Sequence, residues 1–134
     1  MNTDHDQWLQ KTAILVRAKQ WQAIDSESLA EELEALGKSE RRGVESQLVR
    51  LLIHLLKWEY QPPRWLDSIA DARLQIDLTL QDSPSLKCYP AEQLSRAYSK
   101  ARQGAARQTR LPSHFFPETC QYTLEQILDE DWFP

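Results

Sequence analysis

Glycine and cysteine are scarce in this 134-residue sequence, with three of the first and two of the second. So few glycines leave no Gly-rich phosphate loop and no dinucleotide fingerprint, both of which bring backbone N–H groups against a phosphate. Cys88 and Cys120 lie far apart and form no CxxC pair. That spacing excludes a disulfide-dense scaffold and a cysteine-spaced zinc site, and the two are read as reduced thiols. No nucleophile motif is present. Strand-like alternation never lasts more than a few residues. A long apolar run is missing too: the most apolar stretch, LVRLLIHLLKW, is broken by Arg50, His54 and Lys57 and does not make a bilayer span. The opening MNTDHDQW carries two aspartates where a secretory leader carries basic residues, and no apolar core follows. A net charge of -4 argues against general nucleic-acid affinity. The expectation is a soluble, cytoplasmic protein.

What is present is an ordinary globular balance, 41% hydrophobic and 27% charged. A chain of this length buries roughly two-thirds of its unfolded surface without a staple, so residues 1–134 are expected to form a single all-α domain. Proline punctuates helices at 62–63, 84, 90 and in the 112–134 tail. Helix one is expected from Asp4 to Gln20, capped by Thr3 or Asp4, with Trp8, Leu9, Ala13, Leu15 and Val16 on one side. WQAID, residues 21–25, reads as a turn, with Asp25 or Ser26 capping the next helix.

That next helix runs to about residue 60. Leu29, Leu33, Leu36, Val44, Leu48, Leu51 and Leu55 recur at steps of three and four. The polar GKSERRG at 37–43 interrupts the stripe, and one long helix, bent or exposed there, is preferred over a break. On a helical wheel Leu48, Leu51, Leu52, Leu55, Leu56 and Trp58 cluster, and the polar residues are confined to a strip ~80° wide. A helix so apolar must be surrounded by its neighbours, which makes this the central helix of a bundle. Helix three, Arg64 to Gln81, carries the stripe Trp65, Ile69, Ala72, Ile76, Leu80 and a second one of Leu66, Leu74, Leu78. Helix four follows Pro90, its Ala97, Ala101 and Ala105 permitting close approach. The tail is loop with one short helix, Thr123 and Gln126 fitting a capping box. Trp132 and Phe133 are expected to dock on the core.

Three sets of residues compete for function. Arg50, His54 and Lys57, at i, i+4, i+7, could bind an anion or acidic partner, with His54 as a base or metal ligand. The plainer reading makes them a solvent face that ends in a helix-dipole lysine. Glu31 and Glu34, beside Glu27, form an ExxE pair of the kind that opens a magnesium site. The second acidic pair nearest to fitting, Asp67 and Asp71, has i, i+4 spacing, and no ExxH pair is present for a di-iron bundle. The plainer reading is a solvated acidic first turn. Third, Arg96, Lys100, Arg102, Arg107 and Arg110 form a basic stretch suited to nucleic acid, with Tyr98 as a stacking surface, unless acidic residues of the same chain cover it.

WQAID (21–25), EELEALGKSERR (31–42), HLLKWEYQP (54–62), DSPSL (82–86) and FPETCQYTLEQILDED (116–131), taken in order, resemble the bacterial "domain of unknown function 29" (DUF29) family over nearly the whole chain. The sequence departs at Gln121, where the family pattern has proline between cysteine and tyrosine, a change expected to loosen the tail's turn. The resemblance implies an all-α, single-domain bacterial protein and brings no catalytic residues, cofactor or partner with it. The readings therefore rank as follows. A non-enzymatic protein-interaction or self-association module comes first. A metal- or anion-binding site using His54, Lys57 and Glu31/Glu34 is the alternative, and nucleic-acid binding through helix four is third. No cofactor is expected, a divalent metal being the one candidate. The expected partner is a protein or a second copy, and not a membrane.

Overall fold

Asp4 opens the first helix by accepting a hydrogen bond from the Asp6 backbone N–H at 2.9 Å, and α1 runs His5–Arg17. The computed structural model describes residues 4–59 and 66–134, so Thr3, the other expected cap, lies outside the described residues. The helix stops short of Gln20 because Lys19 adopts the left-handed conformation, φ 58°. Its N–H and that of Gln20 turn back to the Val16 and Leu15 carbonyls, both at 3.0 Å, a Schellman closure built on lysine where glycine is usual.

WQAID contains a single 3-10 turn, Trp21–Ala23. Asp25 then caps α2, its carboxylate accepting from the Ser28 N–H (3.2 Å) and hydroxyl (2.7 Å). Those two bonds hold its carboxyl below the usual carboxylate range. Helix α2, Ser26–Trp58, is unbroken. The GKSERRG segment stays helical and, apart from half-buried Gly37, is exposed. Its lysine, glutamate and arginines are good helix formers and offset the ~1 kcal/mol that each glycine costs. Tyr60, where this helix was expected to end, and Pro62-Pro63 lie outside the described residues.

Residues 1–38 and 39–134 form two compact units. In the first, Leu29 of α2 meets Trp8, Leu9, Ala13 and Val16 of α1 around a groove of about 270 Å³, and His5 pairs with Glu32 at 3.0 Å. Thr12 alone is buried among the described residues of this unit.

The second unit holds the main core. Helix α3 spans Leu66–Asp82, with Arg64 and Trp65 outside the described residues. A 3-10 turn, Pro84–Leu86, leads to α4, Tyr89–Thr109, with Pro90 in its first turn. The five-residue α5, Leu124–Leu128, carries the expected capping box: the Gln126 N–H donates to Thr123 Oγ1 (3.1 Å) and the Thr123 N–H to Gln126 Oε1 (3.0 Å). No strand occurs among the described residues, and no helix among them is long and apolar enough to cross a membrane. Leu48, Leu51, Leu52 and Leu55 of α2 pack with Ile69, Ala72 and Ile76 of α3, with Ala97, Ala101 and Ala105 of α4, and with Phe116 and Ile127 of the tail. Small residues let α4 come close: a Cβ on Gly104 would fall 2.7 Å from Ile53 Cδ1.

The tail docks as its aromatic end suggested. Trp58 and Phe133 stack at 4.6 Å between ring centres, and Trp132 meets Tyr122 edge-on at 5.2 Å. The Tyr98 hydroxyl donates to the Pro117 carbonyl at 2.6 Å and Arg102 Nε to the Phe116 carbonyl at 3.1 Å. Tyr122 donates to Glu59 at 2.7 Å, and burial together with that carboxylate raises its pKa. Cys88 and Cys120 are unbridged thiols.

Candidate functional site

Arg50, His54 and Lys57 all sit on the last turns of α2, and each engages neighbouring structure. Arg50 forms an ion pair with Asp71 of α3 at 2.7 Å, which holds the Asp71 carboxyl below the usual carboxylate range. His54 Nδ1 lies 2.8 Å from the Arg50 carbonyl oxygen. A carbonyl only accepts, so Nδ1 carries the hydrogen. Lys57 is not on a solvent face as the plainer reading supposed. It is 6% exposed and donates to Gln108 of α4 at 2.9 Å, because α4 covers the side of the helix where its stem lies.

Burial is the main force pushing the His54 imidazole below its ordinary pKa of 6.5, and the Lys57 and Arg50 charges add to it against the raising effect of the Arg50 carbonyl. The folded chain therefore resists a proton that the unfolded chain accepts. Stability from this group is complete above the unfolded pKa of 6.5, and it declines as pH falls from there to the lower folded value. In urea titrations between about pH 7 and 5.5, wild type should lose more stability than His54→Gln. Parallel losses in the two would refute this role.

The acidic set is arranged differently. Glu31 and Glu34 are exposed in the first unit, and Asp71, from the second pair, is held by Arg50. Among the described residues no group of three or more His, Cys, Asp or Glu side chains is placed to hold a metal ion.

The basic stretch of α4 is divided. Arg96 and Lys100 converge on Glu45 of α2, at 3.5 and 2.7 Å. Lys100 is the main cause of the depressed Glu45 pKa. Arg102 is turned to the Phe116 carbonyl. Arg107 is exposed in the last turn, and Arg110 ends the helix at φ 60°. The five cations thus do not share one surface task, and it is Glu45, neither the tail nor the Glu27–Glu34 turn, that meets two of them.

Sequence reasoning passed over Arg73. It is 5% exposed, and Nε donates to the Ile127 carbonyl (2.8 Å) and Nη2 to the Trp132 carbonyl (2.8 Å). A longer contact reaches the Gln126 carbonyl at 3.5 Å. Its guanidinium carbon lies 5.4 Å from the centre of the Phe133 ring. Ile127 and Gln126 are in the last turn of α5, the negative end of a helix dipole, so a cation suits them. Nη1 is buried with no hydrogen-bond partner among the described residues. The available signal was position: Arg73 is four residues after Ile69 and three before Ile76, a charge set in the buried stripe. Beside it, α3 and the tail enclose a cleft of about 550 Å³.

The family model described as "Domain of unknown function DUF29" matches residues 1–133. The chain belongs to the DUF29 family. No curated protein and no solved structure matches it. In this DUF29 chain WQAID forms the turn into the Asp25 cap, and DSPSL the 3-10 turn between α3 and α4. The FPETCQYTLEQILDED segment runs from buried Phe116 through α5, whose end Arg73 grips. Within the tail's turn the Gln121 side-chain amide donates to the Thr119 carbonyl (3.0 Å) and hydroxyl (3.3 Å).

Proposed function

We propose that this DUF29 protein is a non-enzymatic interaction module whose first unit, residues 1–38, offers its apolar surface to another protein. One observation carries the reading: Leu9, Ile14, Val16, Trp21, Leu33 and Leu36 are all exposed, the last two at 60% and 61%. A short helical unit with so many large apolar side chains in water gains most of its burial from whatever covers it. Leu33 and Leu36 share a face with Leu29 at the spacing used for helix-in-groove contacts. Arg50 Nη1 pairs with Asp71 and Lys57 Nζ donates to Gln108, which favours a positioning role for that strip over catalysis. Two unbridged thiols fit a reducing compartment, and we place the protein in the bacterial cytoplasm.

The test is native mass spectrometry of the protein purified gently from its own host without chelator, alongside Leu33→Glu/Leu36→Glu. A second chain should ride on the 15.7 kDa mass in wild type and be lost in the variant, whose helical circular dichroism should persist because both side chains are exposed. A bare monomer in both samples would overturn the reading. A bound metal or small molecule in place of a chain would move the argument to the metal- or anion-site alternative.

A further inference from the structure

Within residues 39–134, the cleft between α3 and the tail has a distinctive chemistry. Leu66 and Leu74 from α3 and Leu128 and Phe133 from the tail supply its apolar lining, and Leu74 is 52% exposed. Three carboxylates, Asp67, Asp77 and Glu130, stand among them. Among the described residues Arg73 is the cation lining this cleft; its Nε and Nη2 donate to carbonyl oxygens of the tail, while Nη1 is buried with no hydrogen-bond partner there. The cleft therefore combines apolar side chains with exposed carboxylates. Its volume of about 550 Å³ is enough for one or two large side chains.

We propose that this cleft binds a basic amphipathic helix of a partner protein, its leucine-type side chains entering between α3 and the tail and its lysines or arginines meeting Asp67, Asp77 and Glu130. Charge decides the occupant. A second copy docking this face on itself would bring the same three carboxylates against one another, since a two-fold interface pairs each patch with its equal. A copy offering its basic α4 has Arg96 and Lys100 held by Glu45, which leaves Arg107 and Arg110 at the helix end and no exposed leucine within α4 to accompany them. A nucleic acid or an anionic membrane meets an edge of its own sign.

The probe is a synthetic helical peptide with leucines at i, i+4 flanked by lysines, and a control in which glutamates replace those lysines. Binding is read by fluorescence anisotropy, and the site by hydrogen exchange. The basic peptide should bind, weaken as salt rises, and protect residues 66–78 and 128–133, while the acidic control should not bind. Asp77→Lys/Glu130→Lys, both exposed positions, should weaken it about tenfold or more without lowering the melting temperature. Leu33→Glu/Leu36→Glu should leave it unchanged, so this inference and the proposed role of residues 1–38 fail separately. Equal binding of the two peptides, no binding of the basic one, indifference to charge reversal, or protection mapped elsewhere would each overturn the proposal.

Discussion

Replacing Leu55 with alanine is expected to destabilise the protein by about 2–5 kcal/mol, and Leu51→Ala by a similar amount. Both leucines are fully buried in the second unit, in contact with side chains of the other core elements. Truncation removes the transfer free energy of the lost methyl groups and leaves a cavity that backbone on several sides prevents from collapsing. Against the ~5–15 kcal/mol that holds most domains together, this is a large fraction. The same helix supplies the control: Leu33→Ala, at a residue 60% exposed, should change stability by less than about 0.5 kcal/mol. Urea unfolding of the variants, compared at constant m-value, measures all three. Changes below about 0.5 kcal/mol at both Leu51 and Leu55 would refute the central role of α2.

The second large effect is expected at Arg73. Arg73→Leu keeps the apolar stem but leaves the Ile127 and Trp132 carbonyls without their charged donor. Hydrogen bonds from a charged group contribute about 1.5–3 kcal/mol each, and a buried acceptor left unmade costs a further part of its desolvation, so a net loss of about 2–4 kcal/mol is expected after the gain from added apolar burial. Arg73→Lys should recover only part of it, since an ammonium lacks the planar fork that reaches both oxygens. The loss should be local before it is global: amides of residues 124–133 should exchange faster than those of α4, and Trp132 fluorescence should shift as its docking loosens. A Leu variant within about 0.5 kcal/mol of wild type, with tail exchange unaltered, would show that the aromatic contacts hold the tail by themselves.

The contrast between these residues shows where the sequence was readable. Leu51 and Leu55 lie in a stripe whose period declares both the helix and the face it buries, and the Thr123–Gln126 box declares a helix start in four residues. Helix ends were harder. Lys19 and Arg110 close α1 and α4 in a conformation usually marked by glycine, so composition carried no signal there. The candidate sites were harder still. The period that locates Lys57 on a polar strip does not show that Lys57 is buried, nor Gln108 of α4 waiting at 2.9 Å.

What the sequence determined by itself follows from short-range chemistry. It set helical class, the Thr123 cap and the buried stripe of α2, narrowed the other cap to Asp25 or Ser26 and favoured a continuous α2, because turn geometry and the 3.6-residue period act within a few positions of each residue. The second stripe of α3, Leu66, Leu74 and Leu78, stays exposed. Tertiary structure decided which polar side chains would be spent: Arg50 on Asp71, Lys100 on Glu45, Arg73 on the tail carbonyls. It also decided which apolar residues stay uncovered, leaving Leu33, Leu36 and Leu74 in water while Ile76, two residues from Leu74, and the α2 leucines from Leu48 onward are buried. Those outcomes depend on pairings across 21, 54 or 55 positions of chain, and periodicity along one helix contains no information about what packs against it.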